Sequence, residues 1–132
     1  MNDRFKFRAW KHHGEYSPNM FYMREPDCDG VVSFGLKNNT LYYDVEDVLW
    51  DERFFTPLQC TGLKDKNGTL IYEGDIIHGE YGMAWEVFHE NSMYYAGGHS
   101  GDTYITKILE PALSMVSSVI GNIYENPELL NK

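Results

Sequence analysis

TGLKDKNGTLIYEGDII, residues Thr61–Ile77, is the stretch of this chain that says most about its fold. Asn67-Gly68 favours two consecutive positive φ angles, the requirement of a type I′ turn and the strongest short-range signal for a β-hairpin. The apolar runs Leu58–Cys60 and Leu70–Tyr72 lie on either side of this turn and supply the two strands. The stretch therefore predicts a small β-rich domain built around a tight hairpin.

A second bend, Glu73-Gly74-Asp75, follows this hairpin and precedes the apolar pair Ile76-Ile77. Two carboxylates perform general acid–base chemistry only where burial and spacing separate their pKa values. An aspartate in a bend has a simpler use, because its carboxylate accepts hydrogen bonds from nearby backbone N–H groups. We therefore predict a structural role for Glu73, Gly74 and Asp75.

Short apolar runs separated by turn residues extend along most of the chain. The predicted strands are Phe5–Trp10, Met20–Met23, Val31–Phe34, Leu41–Tyr43, Ala84–Phe88, Met93–Tyr95, Thr103–Leu109 and Ser118–Tyr124. Asp44–Glu52 fits a short helix with Asp44 as its N-cap, and it fits a strand nearly as well. Gly97–Asp102 is predicted to be a flexible loop, and a short helix is predicted to begin at Pro127. The pattern predicts a mainly β fold with little helix, in which several short strands form a small barrel.

Composition excludes some classes of protein. At 132 residues and 15.3 kDa the chain forms one domain or two small ones, and its 15% aromatic content argues against disorder. A formal charge of −9 argues against non-specific binding to nucleic acid, which requires clustered basic residues. The one modest basic cluster consists of Arg4, Lys6, Arg8 and Lys11, and it is predicted to be a solvated strand face rather than a phosphate-binding edge.

Motifs for catalysis, metals and cofactors are not found in the sequence. Cys28, Cys60 and the five histidines, among them the adjacent pair His12-His13, lack the spacings typical of zinc sites, and there is no nucleophile elbow. Asp65, Asn67 and Gly68 resemble a calcium loop only in part, because its first and twelfth ligands are missing. We predict no enzyme activity, no metal and no cofactor. With two separated cysteines, no signal peptide and no apolar run of about 18 residues, we expect a soluble cytoplasmic protein.

Aromatic residues are more numerous than a core of this size requires. Trp10, Trp50, Trp85, Tyr94, Tyr95 and Tyr104 are the candidates for a surface position. Small β-domains bind other chains through exposed aromatic rings. We predict an interaction surface that includes Trp85, Tyr94 and Tyr95.

Three motifs resemble the YopX family of small phage and prophage proteins. They are Phe7–Trp10 near the start, Thr61–Asp65 together with Glu73–Ile77, and Ile120–Leu130, which includes Gly121. The resemblance implies an SH3-like barrel over residues 56–132, an N-terminal β-rich region over residues 1–55 packed on it, and residence in the cytoplasm of a bacterial host. It implies no activity and no catalytic residues.

The hypothesis that follows is a non-enzymatic interaction or assembly protein of a phage or prophage. We expect it to form a homo-oligomer, to bind a host or phage protein, or to do both, and not to bind a membrane. One alternative is an accessory protein that binds nucleic acid through its basic edge or imitates DNA with its acidic surface. A small metal-dependent hydrolase is the less favoured alternative.

Overall fold

The computed structural model describes residues 7–11, 18–22, 32–37, 40–45, 48–50, 55–79 and 82–130. The chain divides into two compact units, Met1–Gln59 and Cys60–Lys132. The sequence predicted this boundary between residues 55 and 56. Both units are mainly β, their strands pair in the antiparallel sense, and the described residues contain almost no helix.

The described residues of the first unit form antiparallel strands in two sheets. Its strands are β1 Phe7–Lys11, β2 Asn19–Tyr22, β3 Val32–Lys37, β4 Thr40–Val45, β5 Val48–Trp50 and the first half of β6 Phe55–Lys64. β1 pairs with both β2 and β6, and β4 pairs with both β3 and β5. The predicted strands Val31–Phe34 and Leu41–Tyr43 correspond to β3 and β4, which pair with each other, and Asn38 and Asn39 between them lie outside the described residues.

The ambiguous segment Asp44–Glu52 is strand wherever the structure describes it. β4 continues through Asp44 to Val45, and the register pairs Val45 with Val48 and Tyr43 with Trp50. β-Branched and aromatic residues favour a pleated strand over a helix because they pack well against cross-strand neighbours. The alternative with Asp44 as a helix N-cap is therefore wrong.

Arg8 lies in β1 and is 2% exposed. The sequence placed it on a solvated basic face, so this prediction is wrong. β1 has a hydrogen-bonded neighbour strand on each side, so it is not an edge strand. Arg8 is therefore not available as one of the four cations of a phosphate-binding edge at this strand. Two of the other three, Arg4 and Lys6, lie outside the described residues.

The second unit contains a five-stranded antiparallel sheet in the order β11-β10-β9-β8-β12. Its elements are the second half of β6, β7 Leu70–Tyr72, β8 Asp75–His78, β9 Ala84–Glu90, β10 Met93–Ser100, β11 Thr103–Ile108, the helix α1 Pro111–Ser114, β12 Ser118–Asn122 and a 3₁₀ helix Pro127–Leu130. Among the described strands the sheets stay open, with β11 and β12 as the edges of this one. A closed SH3-like barrel is therefore not confirmed.

One face of the five-stranded sheet forms the hydrophobic core of this unit. The buried cluster consists of Ile71, Ile77, Trp85, Val87, Ala96 and Leu109. Side chains alternate between the two faces of a strand, so Trp85 and Val87 both point into the core from β9. The register places Ile77 opposite Trp85 and Ala96 opposite Val87, which brings the apolar side chains of three strands together.

The Thr61–Ile77 stretch forms the predicted hairpin, but its turn differs from the predicted one. Gly68 has φ of 82°, whereas Asn67 lacks the positive φ that a type I′ turn requires. The loop closes through hydrogen bonds from Gly68 N to the Asp65 carbonyl, at 3.0 Å, and from Asp65 N to the Thr69 carbonyl, at 2.8 Å. This pattern matches a three-residue hairpin loop with glycine in the left-handed position.

Two consecutive positive φ angles occur instead at Asn91 and Ser92, with values of 51° and 64°. This two-residue loop joins β9 to β10, and the register pairs Glu90 with Met93 across it. A type I′ turn has these features because its twist matches that of the flanking strands. The sequence predicted the strands Ala84–Phe88 and Met93–Tyr95 on either side of this loop but not the type of turn.

In the Glu73-Gly74-Asp75 bend, Gly74 and Asp75 make structural contacts, whereas the role of Glu73 stays a prediction. The Asp75 carboxylate is buried and accepts a hydrogen bond of 2.7 Å from the backbone N–H of Tyr72. Gly74 has φ of 89° and donates its N–H to the carbonyl of Val87 at 2.8 Å. The bend thus ties β7 and β8 to β9.

The C-terminal motif forms a bulged strand followed by a capped turn. The β12–β8 register shifts at Gly121, where an added Cβ would lie 2.6 Å from the Asn126 side-chain oxygen. The Asn122 side-chain oxygen accepts hydrogen bonds from the next backbone N–H groups, so the strand ends there and not at Tyr124. The predicted short helix does begin at Pro127, and it is a 3₁₀ helix.

Candidate interaction surface

Three aromatic residues were predicted to lie on an interaction surface, and two of them pack in or against the core instead. Trp85 is 3% exposed and belongs to the core cluster, and Tyr94 packs against that cluster. Burial, together with the charges of Glu73 and Cys60, raises the pKa of Tyr94 to about 12. Trp85 therefore supplies almost no exposed area, so its inclusion in a surface patch is wrong, and Tyr94 lies on the core face of the sheet rather than on the face of Tyr95.

Tyr95 lies on the opposite face of the sheet, because adjacent residues of a strand point in opposite directions. On that face the ring of Tyr95 stacks on Phe88, with 5.5 Å between ring centroids and 21° between ring planes. Tyr104 of β11 is 52% exposed and meets the ring of His99 edge-on at 5.0 Å. We call this set the aromatic face; its members are Glu86, Phe88, Tyr95, Gly97, His99 and Tyr104.

Gly97 lies at the centre of the aromatic face. The sequence predicted a flexible loop from Gly97 to Asp102, but β10 continues to Ser100 and only Gly101-Asp102 forms the turn. A Cβ on Gly97 would overlap the hydroxyl of Tyr104 and lie 3.0 Å from a ring carbon of Phe88. The loop prediction is wrong because these glycines serve close packing, and Gly97 leaves the space in which Tyr104 lies across the sheet.

Glu86 is the acidic member of the aromatic face. The register places it between Ile76 of β8, which is fully buried, and Gly97 of β10. Burial raises the pKa of Glu86, and its carboxylate has no hydrogen bond or ion pair with any described residue. The Tyr104 hydroxyl lies over Gly97, the cross-strand partner of Glu86, and burial, followed by the charge of Glu86, raises the pKa of Tyr104.

A surface depression of about 520 Å³ lies beside the end of β11 and α1. Its lining includes Lys107, Ile108, Glu110, Ala112, Leu113 and Val116. Ile108 is 50% and Val116 is 44% exposed. The depression is open and partly apolar, and it does not form an enclosed ligand pocket.

The residues considered for metal binding lie apart where the structure describes them. Within the described ranges, no group of three or more His, Cys, Asp or Glu side chains is placed to hold a metal ion. His78, His89 and His99 are exposed, whereas Cys60 is buried and its sulfur accepts the N–H of Gly62 at 3.4 Å. His12, His13 and Cys28 lie outside the described residues. The predictions of no metal, no cofactor and no catalysis stay predictions.

Among the described residues, no helix has the length and apolar character needed to cross a membrane. The aromatic face has the chemistry of a binding site, because exposed and partly exposed aromatic rings surround a carboxylate that has no ion pair with any described residue. Of the predicted interaction residues only Tyr95 belongs to it. Phe88 and Glu86 are not among the predicted residues, although the alternation in Ala84–Phe88 separates them from Trp85.

Comparison with known proteins identifies the family. The family described as YopX protein matches residues 6–131. Among solved structures, the chain is similar to the crystal structure of protein EF1440 from Enterococcus faecalis, with 25% identity and a TM-score of 0.49 over 96% of this chain and 97% of the other. No curated protein matches significantly. The chain belongs to the YopX family.

Proposed function

We propose that this protein is a non-enzymatic interaction protein that binds another protein through the aromatic face. The observation that supports the proposal most directly is the exposure of Tyr104, 52%, beside the partly exposed rings of Phe88 and Tyr95. Aromatic side chains are enriched at the centres of protein interfaces, where each buries a large area at a low cost in conformational entropy. A rigid sheet holds these rings, so little ordering is required when a partner binds.

The partner in this proposal is a second copy of the chain, a host protein or a phage protein, and the place of action is the cytoplasm of a bacterial host. Family membership supports a phage or prophage origin. The SH3-like barrel that the family resemblance implies is also part of the proposal. Its closure would require backbone hydrogen bonds at the edge strands β11 and β12, which amide hydrogen exchange at these strands would detect.

The experiment compares the wild-type protein with Tyr104→Ala. Light scattering at micromolar concentration measures self-association, and pull-down with the tagged protein from a bacterial lysate measures partner binding. We expect Tyr104→Ala to weaken whichever association the wild type shows by about tenfold or more, as is typical of a central interface aromatic. Met115→Ala is the matched control, because Met115 is 68% exposed and lies outside the aromatic face.

Two results would count against the proposal. One is a wild-type protein that stays monomeric and retrieves nothing from the lysate. The other is a folded Tyr104→Ala variant that associates as strongly as the wild type and the Met115→Ala control.

A further inference from the structure

Glu86 is the feature of the second unit that its own packing leaves unexplained. Its side chain is half-buried, and its strand β9 is the central strand of the five-stranded sheet. The flanking cross-strand positions are Ile76, which is apolar, and Gly97, which has no side chain. Neither neighbour donates a hydrogen bond from a side chain, and no described residue forms an ion pair with the carboxylate.

Such an arrangement costs free energy in the isolated protein. A carboxylate that loses part of its hydration without gaining a donor or a cation is destabilised in its charged form, and its pKa rises. The raised pKa of Glu86 has burial as its cause. A cation brought by a partner would remove this penalty, so the carboxylate interacts more favourably in a complex than in the free chain.

The nearby basic side chain of the same sheet does not serve this purpose. Lys107 is in β11, but its ammonium nitrogen lies 5.7 Å from the centre of the Trp85 ring. Trp85 belongs to the core face, so Lys107 points to the side of the sheet opposite Glu86. The cation that Glu86 lacks therefore has to come from outside the sheet.

The aromatic rings around Glu86 define what kind of cation fits. Tyr104 lies across Gly97 close to Glu86, and Phe88 follows Glu86 on the same face of β9. A cation over an aromatic ring is attracted by the negative face of the ring. A guanidinium group suits both the aromatic ring and the carboxylate better than an ammonium group does. It is planar, stacks on aromatic rings and forms paired hydrogen bonds with a carboxylate.

We propose that the aromatic face binds an arginine side chain of a partner protein, with the guanidinium paired to Glu86 and stacked on Tyr104. This inference rests on the proposed function and specifies the chemistry of the partner. The formal charge of −9 also favours a basic partner, because it accelerates the encounter with a positively charged surface.

The test uses two small probes, N-acetyl-arginine methylamide and the corresponding citrulline compound, which is similar in shape but neutral. Each is titrated into the full chain, and binding is followed by amide chemical shifts in two-dimensional NMR. We expect arginine to shift the amides of Glu86, Gly97 and Tyr104 and to bind at least about fivefold more tightly than citrulline, because only arginine offers a charge-assisted pair. Equal binding of the two probes, or shifts located elsewhere, would overturn the inference.

Variants assign the interaction to the carboxylate. Glu86→Gln keeps the shape of the side chain and removes its charge, so we expect the preference for arginine over citrulline to fall to about twofold or less. Glu90→Gln is the matched control, because Glu90 lies on the same face of β9 and is exposed. An arginine preference that survives Glu86→Gln, or that is lost equally in Glu90→Gln, would contradict a role for Glu86.

The outcomes separate this inference from the proposed function. If Tyr104→Ala weakens association while Glu86→Gln changes neither association nor arginine binding, the aromatic face is an interface but the arginine assignment is wrong. If Tyr104→Ala leaves association unchanged, the proposed function itself fails.

Discussion

Replacement of Asp65 by alanine is expected to destabilise the second unit, because its carboxylate connects two distant parts of the chain. One carboxylate oxygen accepts the backbone N–H groups of Asn67 and Thr69, at 2.8 and 2.9 Å, and thereby fixes the hairpin loop. The other accepts the N–H of Val119, at 2.9 Å and 54 residues away, and so anchors β12. Asp65 itself is 6% exposed.

The magnitude follows from the exposure of the three donors. Asn67 and Thr69 are exposed, so water replaces the lost acceptor and each bond contributes about 0.5 kcal/mol. Val119 is half-buried, and loss of its charged acceptor costs about 2 kcal/mol. The expected decrease in the free energy of unfolding is therefore about 3 kcal/mol for Asp65→Ala. Asp65→Asn keeps one acceptor oxygen and is expected to lose roughly half of this.

The assay is urea unfolding followed by the NMR signals of Val87 and Ala96, which report on the core of the second unit. Asp102→Ala is the control, because Asp102 is exposed in a turn, and it is expected to change stability by no more than about 0.5 kcal/mol. An Asp65→Ala variant as stable as this control would refute the reasoning.

The same carboxylate predicts a dependence on pH. Burial by itself raises the pKa of Asp65, but the N–H donors of Val119, Thr69 and Asn67, with the charge of Lys66, outweigh it and lower the pKa below 3.8. A lowered pKa in the folded state means that the stabilisation is present above pH 3.8 and is lost as the pH falls through the folded value. The stability difference between wild type and Asp65→Ala is therefore expected to decrease in acid; a difference that grows there would contradict this sign.

Three further predictions concern the same unit. Gly98→Ala is expected to lower the free energy of unfolding by about 2 kcal/mol or more, because the added Cβ would lie 2.7 Å from the backbone carbonyl of Ala84. The Cβ of Gly97→Ala would meet mainly a movable tyrosine hydroxyl, so this variant is expected to lose less stability in the same urea experiment. The Tyr94 phenol is expected to ionise near pH 12 in a spectrophotometric titration compared with Tyr94→Phe. Its contribution to stability is then complete below about pH 10 and is lost as the pH rises towards 12, so a normal titration would contradict its burial. Gly74→Ala is expected to cost about 1 kcal/mol or more, because its φ is 89°; unchanged thermal stability would contradict this.

Much of the strand pattern is predictable from the sequence, because alternation and turn residues are local signals. The turn at Asn67-Gly68 was assigned to the wrong type for a physical reason. The Asp65 carboxylate accepts hydrogen bonds from the N–H groups of Asn67 and Thr69 and so stabilises a three-residue loop. It also accepts a hydrogen bond from Val119, and this contact depends on tertiary structure that no local pattern reveals. Asn91-Ser92 has the two positive φ angles although it lacks glycine.

The candidate surface was only partly predictable. Alternation in Ala84–Phe88 separates Trp85 and Val87 from Glu86 and Phe88, and the charged residue indicates which face is solvated. Applied to Tyr94-Tyr95, alternation also shows that both cannot belong to one surface. A glycine within a strand, such as Gly97, indicates close packing. The sequence does not show that Tyr104 fills the space above it, because this depends on the β10–β11 register.

The most direct test of the proposed interaction measures how tightly the purified partner binds the wild-type protein and the Tyr104→Ala variant. The partner is the protein retrieved from the lysate or, for self-association, a second copy of the chain. We predict binding at least about tenfold weaker for the variant, with its amide spectrum otherwise that of a folded protein. Equal affinities for the two folded proteins would contradict binding through the aromatic face.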